Sequence, residues 1–243
     1  MTDHPTNGSQ QIRYADFLKI IEASKSQIFK RLFARFSEHF SIKKAHIAEK
    51  NLAKIFTATF RLANEVGFQS MSLRALAKET GMSMGGLYAY IQSKEQLAHL
   101  IYAYLNDYCL WAFQLLEDET QDAKSRLQKF IAIHIYLSEL LQPWFYFAYM
   151  ETKNLSRQQV KIAVQSELSS EQKILDILKQ GVSEGVFHSH KINLIASLLK
   201  AMLQDWYLKR RKYQNQQINV DTFAEDIFEL TCQLLETNYN EKT

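Results

Sequence analysis

The chain has 243 residues, and its 47% hydrophobic content supports a buried core and excludes a disordered chain. The net charge is +3, but residues 1–100 hold 14 Lys and Arg against 8 Asp and Glu, whereas residues 101–243 hold 15 against 18. This asymmetry indicates a polyanionic partner for the N-terminal part. Two distant cysteines, and no apolar run near the roughly 20 residues that span a bilayer, predict a cytoplasmic protein without membrane contact.

The 7 glycines and 2 prolines leave strands few places to begin or end, so an all-α chain is predicted. Residues 1–45 are expected to form a polar tail and an extra helical extension. Within this extension four phenylalanines repeat at helical spacing and predict a packed face: Phe29, Phe33, Phe36 and Phe40. Residues 46–96 are predicted to form a three-helix domain whose first helix ends at Gly67.

Residues 97–243 are predicted to form an all-helical C-terminal domain for ligand binding and dimerisation. Ser93 and Gln96 make an S-x-x-Q capping box in front of the long helix that leads into it. Apolar periodicity places the helices at about residues 94–116, 123–141, 143–152, 157–180, 190–212 and 221–238.

The stretch GMSMG, residues 81–85, spells G-x-S-x-G and offers Ser83 as a hydrolase nucleophile. A nucleophile elbow, however, needs a strand running into its serine, and the preceding SLRALAKET is predicted to be helical. The histidines and cysteines form no catalytic or metal-binding constellation, so no enzyme activity, metal or cofactor is predicted. A helical serine hydrolase that uses Ser83 is the alternative.

Two short helices, SLRALAKET and MGGLYAYI, are separated by the turn GMS, which is the arrangement of a helix-turn-helix. Ser72 and Ser83 are predicted to cap these helices by accepting amide hydrogens of the first turn. Their shared core is predicted to contain Leu73, Leu76, Ala77, Leu87 and Ile91. The outer face is predicted to present Met84, Gly85, Gly86, Tyr88 and Tyr90.

Residues 55–97 combine GF, SLRALA, GMS, GLY and SKEQL, and this stretch resembles the DNA-binding domain of the tetracycline-repressor (TetR/AcrR) family. The resemblance implies a homodimer that binds an operator of double-stranded DNA. It makes Gly85 and Gly86 the recognition-helix residues nearest the bases. It makes Tyr88, Tyr90 and Lys94 contacts to phosphates.

The other predicted DNA contacts follow from side-chain chemistry. Met84 can touch a thymine methyl group, and Arg74 can reach guanine or phosphate. Lys43 and Lys44 lie upstream, where either an arm that enters the minor groove or a solvated linker is predicted. The predicted DNA-binding set is completed by the two capping serines, Ser72 and Ser83.

The C-terminal domain offers a dimer face and a sensor. Helices over residues 190–212 and 221–238 can pair with a symmetry mate in a four-helix bundle, which predicts a pseudo-palindromic operator. The apolar residues predicted to form this bundle are Ile192, Ile195, Ala196, Leu199, Met202, Leu203, Phe223, Ile227, Phe228, Leu230 and Leu234. The aromatic-rich QPWFYFAYMETK indicates an apolar effector pocket. Its predicted lining is Trp111, Phe130, His134, Trp144, Phe147, Glu151, Asp205 and Trp206.

These features together predict a transcriptional regulator, a repressor that a hydrophobic small molecule releases from its operator. The stretch MLQDWYLKRRKY is similar to a pattern of lipid-responsive members of the family. Its four cations at residues 209–212 either coat the end of a helix or bind the phosphates of a fatty-acyl thioester such as an acyl-CoA. The alternative is a constitutive DNA-binding protein without a ligand sensor.

Overall fold

The computed structural model describes residues 12–36, 44–116, 120–152 and 157–236. These residues form eleven α-helices and no strand, which confirms the all-α prediction. In chain order the helices are α1 (Tyr14–Phe36), α2 (Ala45–Val66), α3 (Leu73–Thr80), α4 (Met84–Tyr88), α5 (Lys94–Leu116), α6 (Ala123–Leu140), α7 (Gln142–Glu151), α8 (Arg157–Ser183), α9 (Ile192–Leu208), α10 (Arg210–Asn215) and α11 (Val220–Glu236).

Two compact units alternate along the chain. The first comprises Met1–Ile20, Phe113–Leu140 and Ser169–Thr243, and the second comprises Ile21–Ala112 and Leu141–Leu168. Helices α6, α9, α10 and α11 belong to the first unit, and α2, α3, α4 and α7 belong to the second. Helices α1, α5 and α8 contribute residues to both units.

Helix α6 is the centre of the first unit, because residues 130–138 are buried on every side of the helix. Its largest buried residues are Leu127, Phe130, Ile131, Ile133, Tyr136 and Leu137. Helices α9 and α11 pack on α6 and on each other. The prediction that apolar residues of these helices meet a second copy is therefore wrong for six of them, because their side chains fill the core of their own chain. The six are Ile195, Ala196, Leu199, Leu203, Phe223 and Ile227.

The first turns of α1 belong to this core. The ring centroid of Tyr136 lies 5.4 Å from that of Tyr14 and 5.6 Å from that of Phe17. The Tyr136 hydroxyl donates to the Asp221 carboxylate at 2.5 Å, and the Tyr14 amide donates to the same oxygen at 2.9 Å. The predicted extra helix is confirmed, whereas the packing predicted for the phenylalanine stripe lies outside the residues and side chains described.

One helix predicted over residues 190–212 is two helices in the structure. The backbone leaves the helical path at Lys209, where φ is −120° and ψ is 32°. Immediately afterwards, the Arg210 guanidinium lies 4.6 Å from the centroid of the Trp206 ring and pairs with Glu139 of α6 at 2.7 Å. This tertiary contact overrides the continuous periodicity of the sequence.

Helix α2 is central to the second unit and packs on α3 and α7. It ends at Gly67, as predicted, where φ is 80° and the amide donates to the Ala63 carbonyl at 3.0 Å. Near the end of α1, Arg35 forms an ion pair with Asp107 of α5. The buried face of α2 is apolar and includes Leu52, Ile55, Phe56, Ala58 and Phe60.

Gly181 allows the chain to fold back tightly at the end of α8. Its carbonyl accepts hydrogen bonds from the amides of Val186 at 2.9 Å and Phe187 at 3.1 Å. A Cβ added to Gly181 would lie 2.0 Å from Cδ2 of the buried Phe187 ring. The Phe187 ring therefore leaves no room for a side chain at this position.

We expect Gly181→Ala to lower the free energy of unfolding by about 1–3 kcal/mol, because overpacking forces the Phe187 ring and α8 apart. Urea unfolding followed by circular dichroism measures the change. Gly85→Ala is the matched control, because a Cβ on Gly85 meets no atom within 4 Å. Equal stability of the two variants would contradict the prediction.

Candidate nucleic-acid interface

The turn between α3 and α4 depends on Gly81. This residue has φ 69° and ψ 21°, in the left-handed region where an L side chain is strained. The Gly81 amide donates to the Lys78 carbonyl at 3.2 Å, and the Met82 amide donates to the Ala77 carbonyl at 3.0 Å. These bonds satisfy carbonyls at the end of α3 while the chain turns towards α4.

Serine side chains cap both helices, as predicted. The Ser72 hydroxyl accepts a hydrogen bond from the Ala75 amide at 3.1 Å, and the Ser83 hydroxyl accepts one from the Gly86 amide at 3.1 Å. Each cap satisfies an amide that the first helical turn leaves without a backbone partner. Helix α4 can therefore begin at Met84, directly after the turn.

Ser83 lacks the backbone setting of a hydrolase nucleophile. The residues before it form helix α3 and the Gly81 turn, whereas a nucleophile elbow requires a strand, and the described ranges contain none. The structure therefore explains Ser83 as a helix cap.

The core of the helix-turn-helix follows the prediction closely. Leu76, Ala77, Leu87 and Ile91 are buried, and Leu73 is half-buried. This contact holds α4 against α3 and leaves the other face of α4 outward.

The outward face of α4 is small and open. Tyr88 is 47% exposed, Gly85 is exposed, and Met84 and Gly86 are half-buried. A Cβ on Gly85 would meet no atom within 4 Å, so nothing in the protein prevents close approach of another molecule to this backbone. Arg74 is exposed on α3, where a charged side chain can reach a base edge or a phosphate.

Tyr90 does not lie on this outer face, so that prediction is wrong. Its side chain is only 2% exposed, and its hydroxyl accepts a hydrogen bond from Nδ2 of Asn51 at 2.7 Å. Tyr90 follows the buried Leu87 by three residues, a spacing that places both side chains on the same side of the helical turn, and its amide donates to the Leu87 carbonyl at 2.9 Å. Asn51 was missed in the sequence; it lies four positions before the buried Ile55, on the same side of α2.

Lys94 begins α5 beside the helix-turn-helix. Its ammonium donates to the Gln69 carbonyl at 2.7 Å and lies 5.9 Å from the centroid of the Phe68 ring. The Ser93 hydroxyl accepts from the Gln96 amide at 3.1 Å, which is one half of the predicted capping box. The other half differs, because the Gln96 side chain accepts from the Gln92 amide. A phosphate contact by Lys94 stays a prediction.

Of the two lysines predicted to form an arm, Lys43 lies outside the described residues. Lys44 is exposed and extended in front of α2, and its carbonyl accepts from the amides of Ile47 and Ala48. Its ammonium is therefore carried at the N-terminal end of α2.

Half of the residues predicted to line an effector pocket lie in the second unit: Trp111, Trp144, Phe147 and Glu151. Trp111 packs against Tyr108 with the ring centroids 5.4 Å apart, and Glu151 is half-buried at the end of α7. The two α7 aromatics, Trp144 and Phe147, join α7 to α2, the first helix of the DNA-binding domain.

The Trp144 ring lies between α2 and α5, with centroids 4.8 Å from Phe56, 4.9 Å from Phe60 and 4.8 Å from Tyr104. Phe147 meets Phe60 at 5.6 Å and Phe68 at 5.0 Å. Aromatic pairs at these distances add to the stabilisation from burial. We call these six residues, Phe56, Phe60, Phe68, Tyr104, Trp144 and Phe147, the α7 aromatic cluster.

A hydrogen bond supports the α7 aromatic cluster. The Tyr102 hydroxyl of α5 donates to the Ala148 carbonyl and lies 2.9 Å from Oγ1 of Thr152. Burial raises the pKa of Tyr102 to about 12, so its hydroxyl keeps the proton it donates at neutral pH.

The other predicted pocket residues lie in the first unit: Phe130, His134, Asp205 and Trp206. Phe130 packs 4.9 Å from Phe113 between ring centroids. His134 is buried, and burial together with the charge of Lys200 lowers its pKa well below the ordinary value, so the imidazole is neutral at pH 7.

Asp205 and Trp206 take part in polar contacts within the chain. The indole N–H of Trp206 donates to Glu139 at 3.0 Å, and Asp205 accepts from the Tyr213 hydroxyl. Lys209 pairs with Asp205 at 2.6 Å and Lys212 pairs with it at 3.6 Å. With Arg210 bound to Glu139, three of the four cations predicted to coat a helix end or bind phosphate are paired inside the unit.

The sequence and structure were compared with known proteins. Residues 55–101 match the family model of bacterial regulatory proteins, tetR family. No curated protein matches this chain significantly. None of the helices in the described ranges is both long and apolar enough to cross a membrane.

Three solved structures share the fold. A tetR family regulatory protein from Rhodococcus RHA1 is 19% identical with a TM-score of 0.69, covering 78% of this chain and 98% of its own. PfmR, a TetR family transcriptional regulator from Thermus thermophilus, is 23% identical with a TM-score of 0.61. The alignment covers 76% of this chain and 99% of PfmR. A Clostridium perfringens protein proposed as a fatty acid metabolism regulator is 16% identical with a TM-score of 0.63. The alignment covers 76% of this chain and 100% of that protein.

Two short capped helices joined by a left-handed turn, with an open face on the second helix, define a helix-turn-helix DNA-binding protein. The family match covers the whole of this motif and extends into α5. Residues 55–101 therefore carry the DNA-binding domain typical of bacterial regulatory proteins of the tetR family.

We expect Tyr90→Phe to lower the free energy of unfolding by about 0.5–1.5 kcal/mol, because it leaves the Asn51 amide without its partner. Thermal unfolding measures this loss. The matched change Tyr88→Phe removes an exposed hydroxyl and is expected to alter stability by less than about 0.5 kcal/mol while weakening DNA binding. A larger loss of stability in Tyr88→Phe than in Tyr90→Phe would contradict the assignment.

Proposed function

We propose that this regulator is a repressor that binds a pseudo-palindromic operator as a homodimer and is released by a hydrophobic small molecule. The observation that carries the proposal is the α7 aromatic cluster, which joins α7 to α2, the first helix of the DNA-binding domain. A DNA-binding domain without a sensor needs no such attachment.

The dimer is supported by apolar side chains that the protomer leaves exposed on adjacent helices. Leu194 and Leu198 of α9 are 56% and 46% exposed, and Leu230 of α11 is 48% exposed. Residues four apart lie on the same side of a helix, so Leu194 and Leu198 form one stripe. Two such surfaces related by two-fold symmetry can build a four-helix bundle.

Two-fold symmetry also sets the form of the operator. Each protomer presents one α4, so the two half-sites are expected roughly 34–36 Å apart, or a close multiple of this distance. The exposed Gly85 backbone and Tyr88 supply close approach and a phosphate contact, whereas Arg74 is the strongest candidate for reading a base.

The effector is proposed to act through α7. Rings packed face to edge resist separation, so a displacement of α7 moves Phe56 and Phe60 of α2 with it. In a dimer, a shift of both α2 helices changes the separation of the two recognition helices. The effector binds the shifted state more tightly than the DNA-binding state. This difference in binding free energy, typically about 1–3 kcal/mol, is the amount by which operator binding weakens.

A fatty-acyl or acyl-thioester effector is the first class to test. Two features support it: the MLQDWYLKRRKY stretch and the fold shared with the Clostridium perfringens protein proposed as a fatty acid metabolism regulator. The intramolecular pairing of three of the four cations in this stretch argues against their use for thioester phosphates. A free fatty acid therefore fits this stretch better than its coenzyme A thioester.

Genomic footprinting with purified protein tests the proposal, followed by release tests with free fatty acids, acyl thioesters and aromatic drugs. We expect a symmetric footprint and release by one hydrophobic class. An operator affinity that no compound changes would favour a constitutive DNA-binding protein.

For the hydrolase alternative, Ser83→Ala should abolish turnover, whereas in a regulator it weakens a helix cap by about 1 kcal/mol.

With the releasing compound in hand, Trp144→Leu is expected to leave operator affinity without effector nearly unchanged. It should reduce the effector-induced loss of affinity from the roughly 5–150-fold typical of such coupling towards no change. Met150→Ala is the control on the same helix, because Met150 is exposed. Fluorescence anisotropy measures both. Weaker effector binding to the DNA-free variant would instead make Trp144 a pocket wall.

For the dimer, the double change Leu194→Glu and Leu198→Glu is expected to give a monomer in sedimentation velocity, because it buries like charges across the two-fold axis. Val66→Glu is the matched control: Val66 is 54% exposed on α2 of the DNA-binding unit and should leave the dimer intact. A double variant that stays dimeric would place the interface elsewhere.

A further inference from the structure

A hollow of about 320 Å³ lies beside the recognition helix, between α2 and the turn that precedes α4. Asn51 and Lys54 of α2 form one wall. Ser83, Gly86 and Tyr90 are part of the opposite wall, which belongs to α4 and its two ends. The hollow therefore opens next to the residues that the helix-turn-helix presents to DNA.

The charge of the hollow is positive. Lys54 is the one charged residue in its lining, and it is exposed. Among the described residues, no carboxylate lines the hollow and none pairs with Lys54. Arg61, further along the same helix, differs because it pairs with Glu79 and Glu65. The Lys54 ammonium thus keeps its charge for an external anion.

The two walls are held together by the hydrogen bond from Asn51 to Tyr90, 2.7 Å long. Because the Tyr90 ring is buried, this bond joins α2 to the end of α4. Lys54 follows Asn51 by three residues, close to one helical turn, so it lies on the same side of α2. The bond therefore sets the distance between the Lys54 side chain and the recognition helix.

With the recognition helix in the major groove, the neighbour at this position would be the sugar–phosphate backbone of DNA. The major groove is about 12 Å wide and a helix with its side chains is about 10–12 Å across, so the recognition helix is bordered by phosphates. A lysine ammonium is a compact charge well suited to a phosphate oxygen.

We propose that Lys54 binds a backbone phosphate of the operator at the mouth of this hollow, with Asn51 as a positioning residue that acts through Tyr90. The proposal rests on the DNA-binding function and adds two residues of α2 to the interface. It requires no base recognition by Lys54.

The test compares Lys54→Gln with the wild-type protein on two duplexes: one selected from a random-sequence pool by the wild-type protein, and a scrambled version of it. A phosphate contact carries no sequence information, so the variant should weaken binding to both duplexes by a similar factor. The slope of log K against log salt should become shallower by about 0.9 per contact, or about 1.8 for a dimer. The affinity deficit should therefore shrink roughly tenfold between 50 and 200 mM salt.

Lys179→Gln is the matched control, because it removes one exposed lysine charge from α8 in the first unit and should leave the slope unchanged. Urea unfolding of Lys54→Gln should match the wild-type protein, because the side chain is exposed. A scan with neutral methylphosphonates supplies a second readout: one phosphate in each half-site should matter to the wild-type protein and not to Lys54→Gln.

An unchanged salt slope, or a loss confined to the selected duplex, would overturn the role of Lys54 while leaving the DNA-binding function intact. Failure of the wild-type protein to select any duplex would overturn the role together with the function on which it rests. For Asn51, the positioning role requires that Asn51→Ala weaken binding by the otherwise wild-type protein and cause little further loss in the Lys54→Gln background, whereas fully additive losses would contradict it.

Discussion

The left-handed turn at Gly81 is the constraint on which the DNA-binding unit depends. At φ 69° a Cβ would strain the backbone although no neighbouring atom lies within 4 Å, so the requirement for glycine comes from conformation and not from crowding. The turn lets the Ser83 cap start α4 at once and brings Leu87 into the core with Leu76. A helix of only five residues has little stability of its own, so the turn, the cap and this apolar contact together hold the recognition face outward.

The α7 aromatic cluster gives the same unit a second apolar contact, one that reaches beyond the helix-turn-helix. Its stabilisation comes from burial and ring packing, neither of which depends on salt, so it persists under conditions that weaken contacts to DNA phosphates. Burial also raises the pKa of Tyr104 to about 12, with a smaller effect from the Glu49 carboxylate, which is consistent with a dry contact around Trp144. Polar side chains at the surface of this unit can therefore gain or lose contacts to DNA while the α7 aromatic cluster stays packed.

In the first unit, buried polar groups determine where the chain leaves the helical path. Glu139 accepts from the Trp206 indole and from Arg210, so its charge is matched on the face of α6 where α9 and α10 meet. Burial alone would raise the pKa of Asp205, but hydrogen bonds from Lys209 and Tyr213 hold it below its ordinary value. These pairs account for cations that a sequence pattern associates with an external phosphate.

The sequence by itself determined the helical class, the two serine caps, the glycine that ends α3 and the buried set around Leu87, because caps, turns and periodicity act within a few residues. Only the tertiary structure decided which way a side chain faces when two surfaces compete for it. The hydroxyl of the buried Tyr90 finds its partner in Asn51, 39 residues earlier. Trp144 meets α2, and the helix over 190–212 breaks at Lys209 because Arg210 binds Glu139. Such contacts join residues far apart in sequence, so no local pattern encodes them.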